Sequence, residues 1–390
     1  MQLINRDLAK VIIEMAKMWP VISITGPRQS GKTTLSKLCF PDYEYVNLEN
    51  PETFDRLKAD PKAFLTNFTT GIIIDEAQNF PELFSWIQVI SDERKSVGEF
   101  ILTGSEQFLL NQKIAQSLAG RVFVSHLLPL SIHELSHENL LSDRFESVIF
   151  SGFYPRIVEK SIPANLFYPS YIETYLERDV RSILQVSNLN LFRKFLKLSA
   201  GRIGQLVNYA SLSNEVGVDL KTIKSWFSVL ETSYIVFFLQ AHHQNFNKKI
   251  VKTPKLYFYD VGLAISLLGL ESESDLQNHW ARGALFENLI IAELVKTRFN
   301  QGKSSNLYFW RNNTGNEVDC IIETAGDTIP VEIKSSSTIN NDFFKGLNYY
   351  NQLKEKQSEA YLIHGGLKSY KRQKNNVLSW KNSFEILIDY

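Results

Sequence analysis

Residues 26–33 read Gly26-Pro27-Arg28-Gln29-Ser30-Gly31-Lys32-Thr33. The spacing is G-x-x-x-x-G-K-[ST], the Walker A phosphate loop. Its flanks agree. Residues 21–25 form a short apolar, β-branched run that reads as a buried strand. Residues 32–40 read as a helix, with Leu35 and Leu38 facing inward. A phosphate loop needs this strand–loop–helix setting, because backbone N–H groups and the helix N-terminus together create the anion site. Gly26 and Gly31 allow close backbone approach. Lys32 is placed to reach the β- and γ-phosphates, and Thr33 to ligate Mg²⁺. Gly26, Pro27, Arg28, Gln29, Ser30, Gly31, Lys32, Thr33 and Thr34 are therefore assigned to ATP.

Working outward, Gly71-Ile72-Ile73-Ile74-Asp75-Glu76 is an apolar strand ending in two acids, the Walker B pattern. Asp75 is expected to hold Mg²⁺ and Glu76 to polarise the attacking water. Residues 99–103 form the next strand. Thr103 or Ser105 can then stand near the γ-phosphate as a sensor, or cap the helix that follows. Arg121 precedes a fifth strand, residues 122–127. It is a candidate arginine finger for its own or a neighbouring subunit, or a surface arginine. Strands alternating with helices predict a parallel sheet covered on both faces, with ligand at the carboxyl edge.

At 390 residues the chain is long for one domain. Formal charge is zero overall but uneven. Residues 1–150 carry 14 basic and 19 acidic side chains, and residues 151–260 carry 14 and 8, which points to an anionic partner or to neutralisation within the molecule. Two cysteines are too few for a disulfide framework and suggest a reducing, cytoplasmic setting. No apolar run approaches the length of a membrane span, and charges interrupt residues 1–19, so no signal peptide is read there.

GPRQSGKTTL, IIIDEAQNFPELF and ILTGSEQFLL resemble the AAA-type P-loop ATPases of bacteria and archaea that carry an uncharacterised C-terminal domain. SGFYPRIV (151–158) and YIETYLERDV (171–180) resemble that family's linker segments. The resemblance implies an additional-strand P-loop sheet followed by a helical lid. It also implies a structural or nucleotide-sensing role for Arg178 and Asp179.

Residues 212–219 lead through a Gly turn and an Asp cap into 220–227, a helix-turn-helix pattern. Lys221, Thr222, Lys224 and Ser225 face outward on the second helix, where a recognition helix meets base edges. Strands at 234–240 and 256–260 flank a loop with Lys248, Lys249, Lys252 and Lys255. This is a winged-helix layout with a basic wing, suited to DNA phosphates or to service as a lid or interaction module.

In the last third, residues 283–294 read as a helix, and residues 307–311, 316–322 and 329–334 as strands. Glu332 and Lys334 share a face, the hairpin brings Asp319 beside them, and Glu287 approaches from the helix. This set resembles the PD-(D/E)xK restriction-endonuclease-like fold, with the GALFEN helix and the WRNNTGNEVD–VEIKSS pair carrying the likeness. Asp319, Glu332 and the Ile333 carbonyl are hard ligands suited to a second Mg²⁺, with Lys334 orienting water. Glu-x-Lys on a strand is also a common surface ion pair. Residues 368–381 are basic, with Tyr370 and Trp380, and offer a further surface for nucleic acid.

The expected architecture is α/β throughout. An AAA-type P-loop domain spans 1–130, a helical lid 131–188, a winged helix 189–260 and a nuclease-like domain 261–390. The expected activity is hydrolysis of ATP with Mg²⁺, catalysed by Glu76, Lys32 and Arg121. Nucleotide state would be coupled to action on DNA, within a homo-oligomer. The alternative is a nucleotide-dependent switch that binds a protein partner, with the nuclease-like domain as an inactive scaffold.

Overall fold

A computed structural model describes residues 3–104, 117–176, 188–242, 251–354 and 358–388. Ser105, Arg178, Asp179, Lys248 and Lys249 lie outside them. Among the described residues, no helix is long and apolar enough to cross a membrane.

The first sheet holds β1 (Val21–Thr25), β2 (Glu44–Asn47), β3 (Ile72–Asp75), β4 (Phe100–Gly104) and β5 (Val122–His126) in the order β2-β3-β4-β1-β5. Every pairing is parallel. β4 separates the strand that leads into the phosphate loop from the strand that ends in Asp75, which is the additional-strand arrangement. β1, β3 and β4 are buried along their full length, so they read as unbroken apolar runs. α1 (Leu8–Ala16) and α2 (Lys32–Cys39) pack on one face of the sheet. α3 (Pro51–Ala59), α4 (Pro61–Thr66) and α5 (Leu83–Arg94) complete this part. Asn50 caps α3 by accepting from the Glu52 and Thr53 amides, as its sequence predicts. Leu38 departs from expectation. Leu35 is buried, but Leu38 is 52% exposed and lines a cavity beside the phosphate loop.

Short helices follow: α6 (Ile132–His137), α7 (Phe145–Ser151), α8 (Pro155–Lys160) and α9 (Ala164–Tyr171). Between α7 and α8, Gly152 takes φ +66°, and a Cβ there would lie 1.8 Å from the Tyr168 hydroxyl. α10 (Leu189–Ala200) precedes a helix-turn-helix of α11 (Tyr209–Val216) and α12 (Leu220–Thr232). Gly217 turns the chain in the left-handed region, and Asp219 caps α12 through the Thr222 amide. β6 (Val236–Leu239) and β7 (Lys255–Phe258) then pair antiparallel.

α13 (Val261–Leu268) and α14 (Glu273–Gln277) pack against α7, and α13 also meets α9 and α10. α15 (Arg282–Asn300) opens the C-terminal part. The second sheet runs β12-β13-β11-β10-β9-β8, with β8 (Leu307–Arg311), β9 (Glu317–Thr324), β10 (Asp327–Lys334), β11 (Ala360–His364), β12 (Tyr370–Arg372) and β13 (Asn375–Ser379). β8, β9 and β10 form an antiparallel meander, and β11 joins β10 in parallel. α16 (Lys345–Leu353) covers one face. Trp380 is fully buried, which removes it from the surface expected around residues 368–381.

One apolar core runs from α6 to α9 through the helix-turn-helix to the second sheet. α15 is its spindle. It touches β7, α7, α13, β10 and the 3-10 helix Trp380–Leu387, and reaches back to α1 and β5.

Candidate functional site

The phosphate loop is held open by backbone conformations that few residues adopt. Gly26 has φ +154°, and a Cβ on it would lie 2.1 Å from the Leu127 carbonyl oxygen. Gly31 has φ +97° and caps α2. Gln29 sits at φ +63° although it carries a side chain, a strain of the kind that concentrates at ligand sites. Lys32 is 7% exposed, and its ammonium donates to the carbonyls of Gly26 (3.0 Å) and Pro27 (2.9 Å). The ammonium thus lies inside the curl of the loop.

Asp75 stands opposite. Its Oδ2 accepts from Thr33 Oγ1 at 2.7 Å and from the Tyr45 hydroxyl at 2.8 Å, and its Oδ1 accepts from Thr103. Thr103, one of the two sensor candidates, donates its hydroxyl to Asp75 and orients it. Burial, then the hydrogen bond and charge of Asp75, raise the Tyr45 pKa and keep its proton in place as a donor. The Thr33 hydroxyl and the Asp75 carboxylate are adjacent hard oxygen donors, which fits Mg²⁺. Glu76 follows in the left-handed region, φ +54°, and accepts from Gln78 Nε2 at 2.5 Å. The turn projects Glu76 into the same cavity as Lys32 and Thr33.

That cavity measures about 600 Å³, within the usual range for a small-molecule site. Three of its features are not apparent from the motifs. Leu3, Ile4, Leu38, Leu130 and Pro155 give it an apolar side. Arg156 and Lys160 bring cations from α8. The available signal was an arginine directly after Pro155 within SGFYPRIV. Arg6 is the third. Its guanidinium donates to the carbonyls of Ser30 (2.8 Å) and Leu128 (2.7 Å) and pairs with Glu134 at 2.9 Å. It ties the loop to the N-terminal segment and to α6. No local pattern announces a residue that acts across so many positions.

Arg121 requires correction. It sits at the amino end of β5, where its carbonyl accepts from the Val21 amide, so it lies at the sheet edge opposite the loop. Its guanidinium makes a two-pronged contact with Asp92 at 2.6 and 2.9 Å. It cannot act on phosphate held by its own chain.

Behind the loop, Thr25 Oγ1 lies 2.8 Å from His126 Nδ1 and 2.6 Å from the Tyr234 hydroxyl, which is itself 2.7 Å from His126 Nδ1. Thr25 immediately precedes Gly26. Tyr234 leaves the helix-turn-helix, and the His126 ring packs on Phe299 of α15 at 4.9 Å. Burial lowers the His126 pKa to about 4 and keeps the ring neutral.

A second constellation lies between β7, α15, β9 and β10. Lys334 Nζ is 3.1 Å from Asp319 Oδ2 and 2.6 Å from Glu332 Oε1, and the Ile333 amide donates to Asp319 at 2.8 Å. The three residues thus meet as the sequence predicts. Glu287 also approaches, but it takes the Tyr257 hydroxyl at 2.5 Å and Lys255 at 3.2 Å. Lys255 was expected on the loop of a basic wing. Instead it opens β7, is 3% exposed, and sits 2.5 Å from Glu317. Burial works against its charge, but Glu287, Asp319 and Glu317 outweigh it and raise its pKa. Burial, reinforced by Asp319, pushes Glu332 up to about 8 against the pull of Lys334. Among the described residues, no three of His, Cys, Asp and Glu are arranged to hold a metal ion. The oxygens are of the right chemistry for one, yet lysines hold them. Glu317 and Lys255 were missed because nothing in the sequence shows that β7 meets this sheet.

On the helix-turn-helix, Lys221 and Lys224 are exposed, while Thr222 and Ser225 are half-buried. Thr222 also spends its hydroxyl on Asp219.

A family model described as an AAA domain matches residues 19–136. Two others, each described as a domain of unknown function (DUF8612 and DUF4143), match residues 142–274 and 282–382. Uncharacterized proteins of Mycobacterium tuberculosis and Mycobacterium bovis are each 30% identical over 338 residues, which is 86% of this chain and 74% of theirs. An uncharacterized protein of Methanocaldococcus jannaschii is 25% identical over 82% of this chain and 75% of its own. Among solved structures, a Walker-type ATPase of Pyrococcus abyssi shares 13% identity at TM-score 0.41, covering 68% of this chain and 96% of that one. AMPPCP-bound DnaA of Aquifex aeolicus shares 14% at TM-score 0.31, covering 58% and 86%.

Proposed function

We propose, from the premise that this chain belongs to the AAA-type P-loop ATPases with a C-terminal domain of unknown function, that it hydrolyses ATP in the cavity between the first sheet and the lid. The supporting observation is the Thr33–Asp75 contact at 2.7 Å, facing Lys32 and Glu76 across one cavity. Backbone N–H groups of residues 28–34 would cradle the phosphates, and Lys32 would leave its loop carbonyls to meet the β- and γ-phosphates. Thr33 and Asp75 would hold Mg²⁺, which when bound neutralises charge on the transferring phosphoryl group. Glu76, fixed by Gln78, would orient water and take its proton. Arg156 and Lys160 would close on the phosphates from the lid, and the apolar side would accept the base.

Lys32→Ala is expected to abolish binding of a fluorescent ATP analogue. Glu76→Gln is expected to retain binding and lose hydrolysis by about 10²-fold or more. Equal turnover in Glu76→Gln and the native protein would reject Glu76 as the base.

What the nucleotide drives is read from the remaining modules. α10 to β7 would serve as a winged helix and the second sheet as a PD-(D/E)xK-like module, with ATP state setting their presentation to DNA. A second reading is favoured by one observation: the carboxylates around Asp319 are held by lysines. On that reading the second sheet is a scaffold, and the nucleotide switches binding of a protein partner. DNA binding that weakens steeply with salt supports the first reading. Absence of binding at low salt supports the second.

A further inference from the structure

The cavity beside the phosphate loop is lined by more cations than the lysine of the loop alone. Arg6 is engaged by the carbonyls of Ser30 and Leu128 and by Glu134. Arg156 and Lys160 stand on α8. Arg28 belongs to the loop itself, four residues before Lys32, and lines the same cavity as Glu76. The loop thus carries its own guanidinium into the cavity, whereas Arg121 lies at the opposite edge of the sheet.

One element holds Arg28 twice. α9 continues past Tyr171 into a single π turn, Ile172–Leu176, an irregularity that recurs at functional sites. The turn sets the rings of Tyr171 and Tyr175 side by side, their centroids 5.5 Å apart. The buried Tyr171 hydroxyl accepts from the Tyr154 hydroxyl at 2.9 Å and donates to the Arg28 carbonyl at 3.5 Å. The Tyr175 ring centroid lies 5.7 Å from the Arg28 guanidinium carbon, within reach of a cation–π contact. Tyr175 also lines the cavity. One tyrosine therefore meets the backbone of Arg28, and the other meets its side chain. A planar guanidinium laid on a ring keeps its N–H edge for an anion, which a compact ammonium does not reproduce.

We propose that Arg28 is a catalytic residue that donates to the oxygens of the transferring γ-phosphoryl group, and that Tyr175 is the positioning residue that holds its guanidinium for this. The inference rests on the hydrolysis of ATP in this cavity proposed above. It gives to the chain's own loop the task that Arg121 cannot perform. As water bonds to the γ-phosphorus, the bond to the β–γ bridging oxygen breaks. Glu76 takes the water proton, and ADP leaves with the bridging oxygen. Charge moves among these oxygens during the step, and donors already aimed at them favour the transition state most. Tyr175 lowers the cost of ordering a long side chain beforehand. It also ties the chemistry to α9, whose Tyr168 reaches Asp260.

The test measures single-turnover ATP hydrolysis and binding of the fluorescent ATP analogue on the full chain. Arg28→Ala is expected to slow hydrolysis by about 10²-fold or more, with analogue affinity changed by less than about tenfold. Arg28→Lys should not restore the rate, because an ammonium lacks the planar fork. Tyr175→Ala should slow hydrolysis about five- to tenfold. Tyr175→Phe, which keeps the ring, should recover most of that loss. The double variant Arg28→Ala, Tyr175→Ala should be no slower than Arg28→Ala alone, because Tyr175 acts only through Arg28. Retained analogue binding is the check of folding. Where Tyr175→Ala does not retain it, Tyr175→Leu fills the space without a π face, and the same loss is expected. Losses that multiply in the double variant overturn the proposal, as does a native rate in Arg28→Ala or Tyr175→Ala. Arg28→Ala that loses analogue binding in step with its rate also overturns it. In these cases native hydrolysis leaves the ATPase reading standing. Native protein that binds the analogue yet hydrolyses ATP no faster than Glu76→Gln fails that reading, and the inference falls with it.

Discussion

Glu293 lies in the middle of α15, buried among apolar neighbours, and accepts from the Ile132 amide at 2.8 Å and the His133 amide at 3.3 Å. A carboxylate thereby completes the start of α6 from a distant segment. Burial, only partly opposed by Lys296, raises its pKa to about 7. The folded protein thus retains a proton that the unfolded chain releases near the ordinary carboxylate value. Stability contributed this way is full below that value and is lost as pH rises toward 7. Glu293→Gln, which keeps an acceptor but cannot ionise, should flatten that slope by an amount on the order of 3 kcal/mol. Urea unfolding of both proteins across pH 4.5–8 reads it, and identical slopes would exclude Glu293 as the source. The nucleotide residues were legible at this scale because a phosphate loop needs its glycines, lysine and threonine contiguous. The roles of Thr103 and Arg121 stayed open in the sequence because it gives a strand's residues but not which of them an acid will recruit, nor which sheet edge they occupy.

Among the elements, the junction of α7, α8, α9 and α13 turns on a single buried carboxylate. Asp260 Oδ1 accepts from the Leu263 amide at 3.0 Å and the Tyr168 hydroxyl at 2.7 Å, and Oδ2 from the Phe153 amide at 2.8 Å. It caps α13 and anchors the Gly152–Phe153 turn that leads to Arg156. Asp260→Ala would leave three buried donors unanswered and should cost on the order of 3–5 kcal/mol. A chemical denaturation midpoint measures this, and a loss below about 1 kcal/mol would show that water replaces the carboxylate. Helices and strands around this junction were readable from their periodicity and caps. Their assembly was not, since Asp260, Tyr168 and Phe153 are far apart in the chain and no local pattern links them. Lys255 is the sharper case. Its neighbours suggest a basic loop, and only the pairing of β6 with β7 and the approach of α15 turn it inward.

For the whole molecule, the contact of Thr25, His126 and Tyr234 is where the phosphate loop meets the later modules. Thr25 directly precedes Gly26, and its hydroxyl touches a side chain that follows the helix-turn-helix and a ring packed on α15, so a nucleotide-driven change in the loop would be passed to them through Thr25. Tyr234→Phe removes that shared hydroxyl and leaves the apolar packing. It should lower stability by about 1–2 kcal/mol and, more specifically, abolish any ATP-dependent change in amide exchange within α11 and α12. An undiminished ATP response in Tyr234→Phe would route the coupling elsewhere. The spindle position of α15 carries a last consequence. Because it fills the centre of a core that starts with α6 to α9, a nascent chain cannot finish that core until α15 has left the ribosome. Stopping translation after residue 281 should therefore yield a sticky, chaperone-bound intermediate, measured by co-purification with chaperones, rather than a freely folded protein.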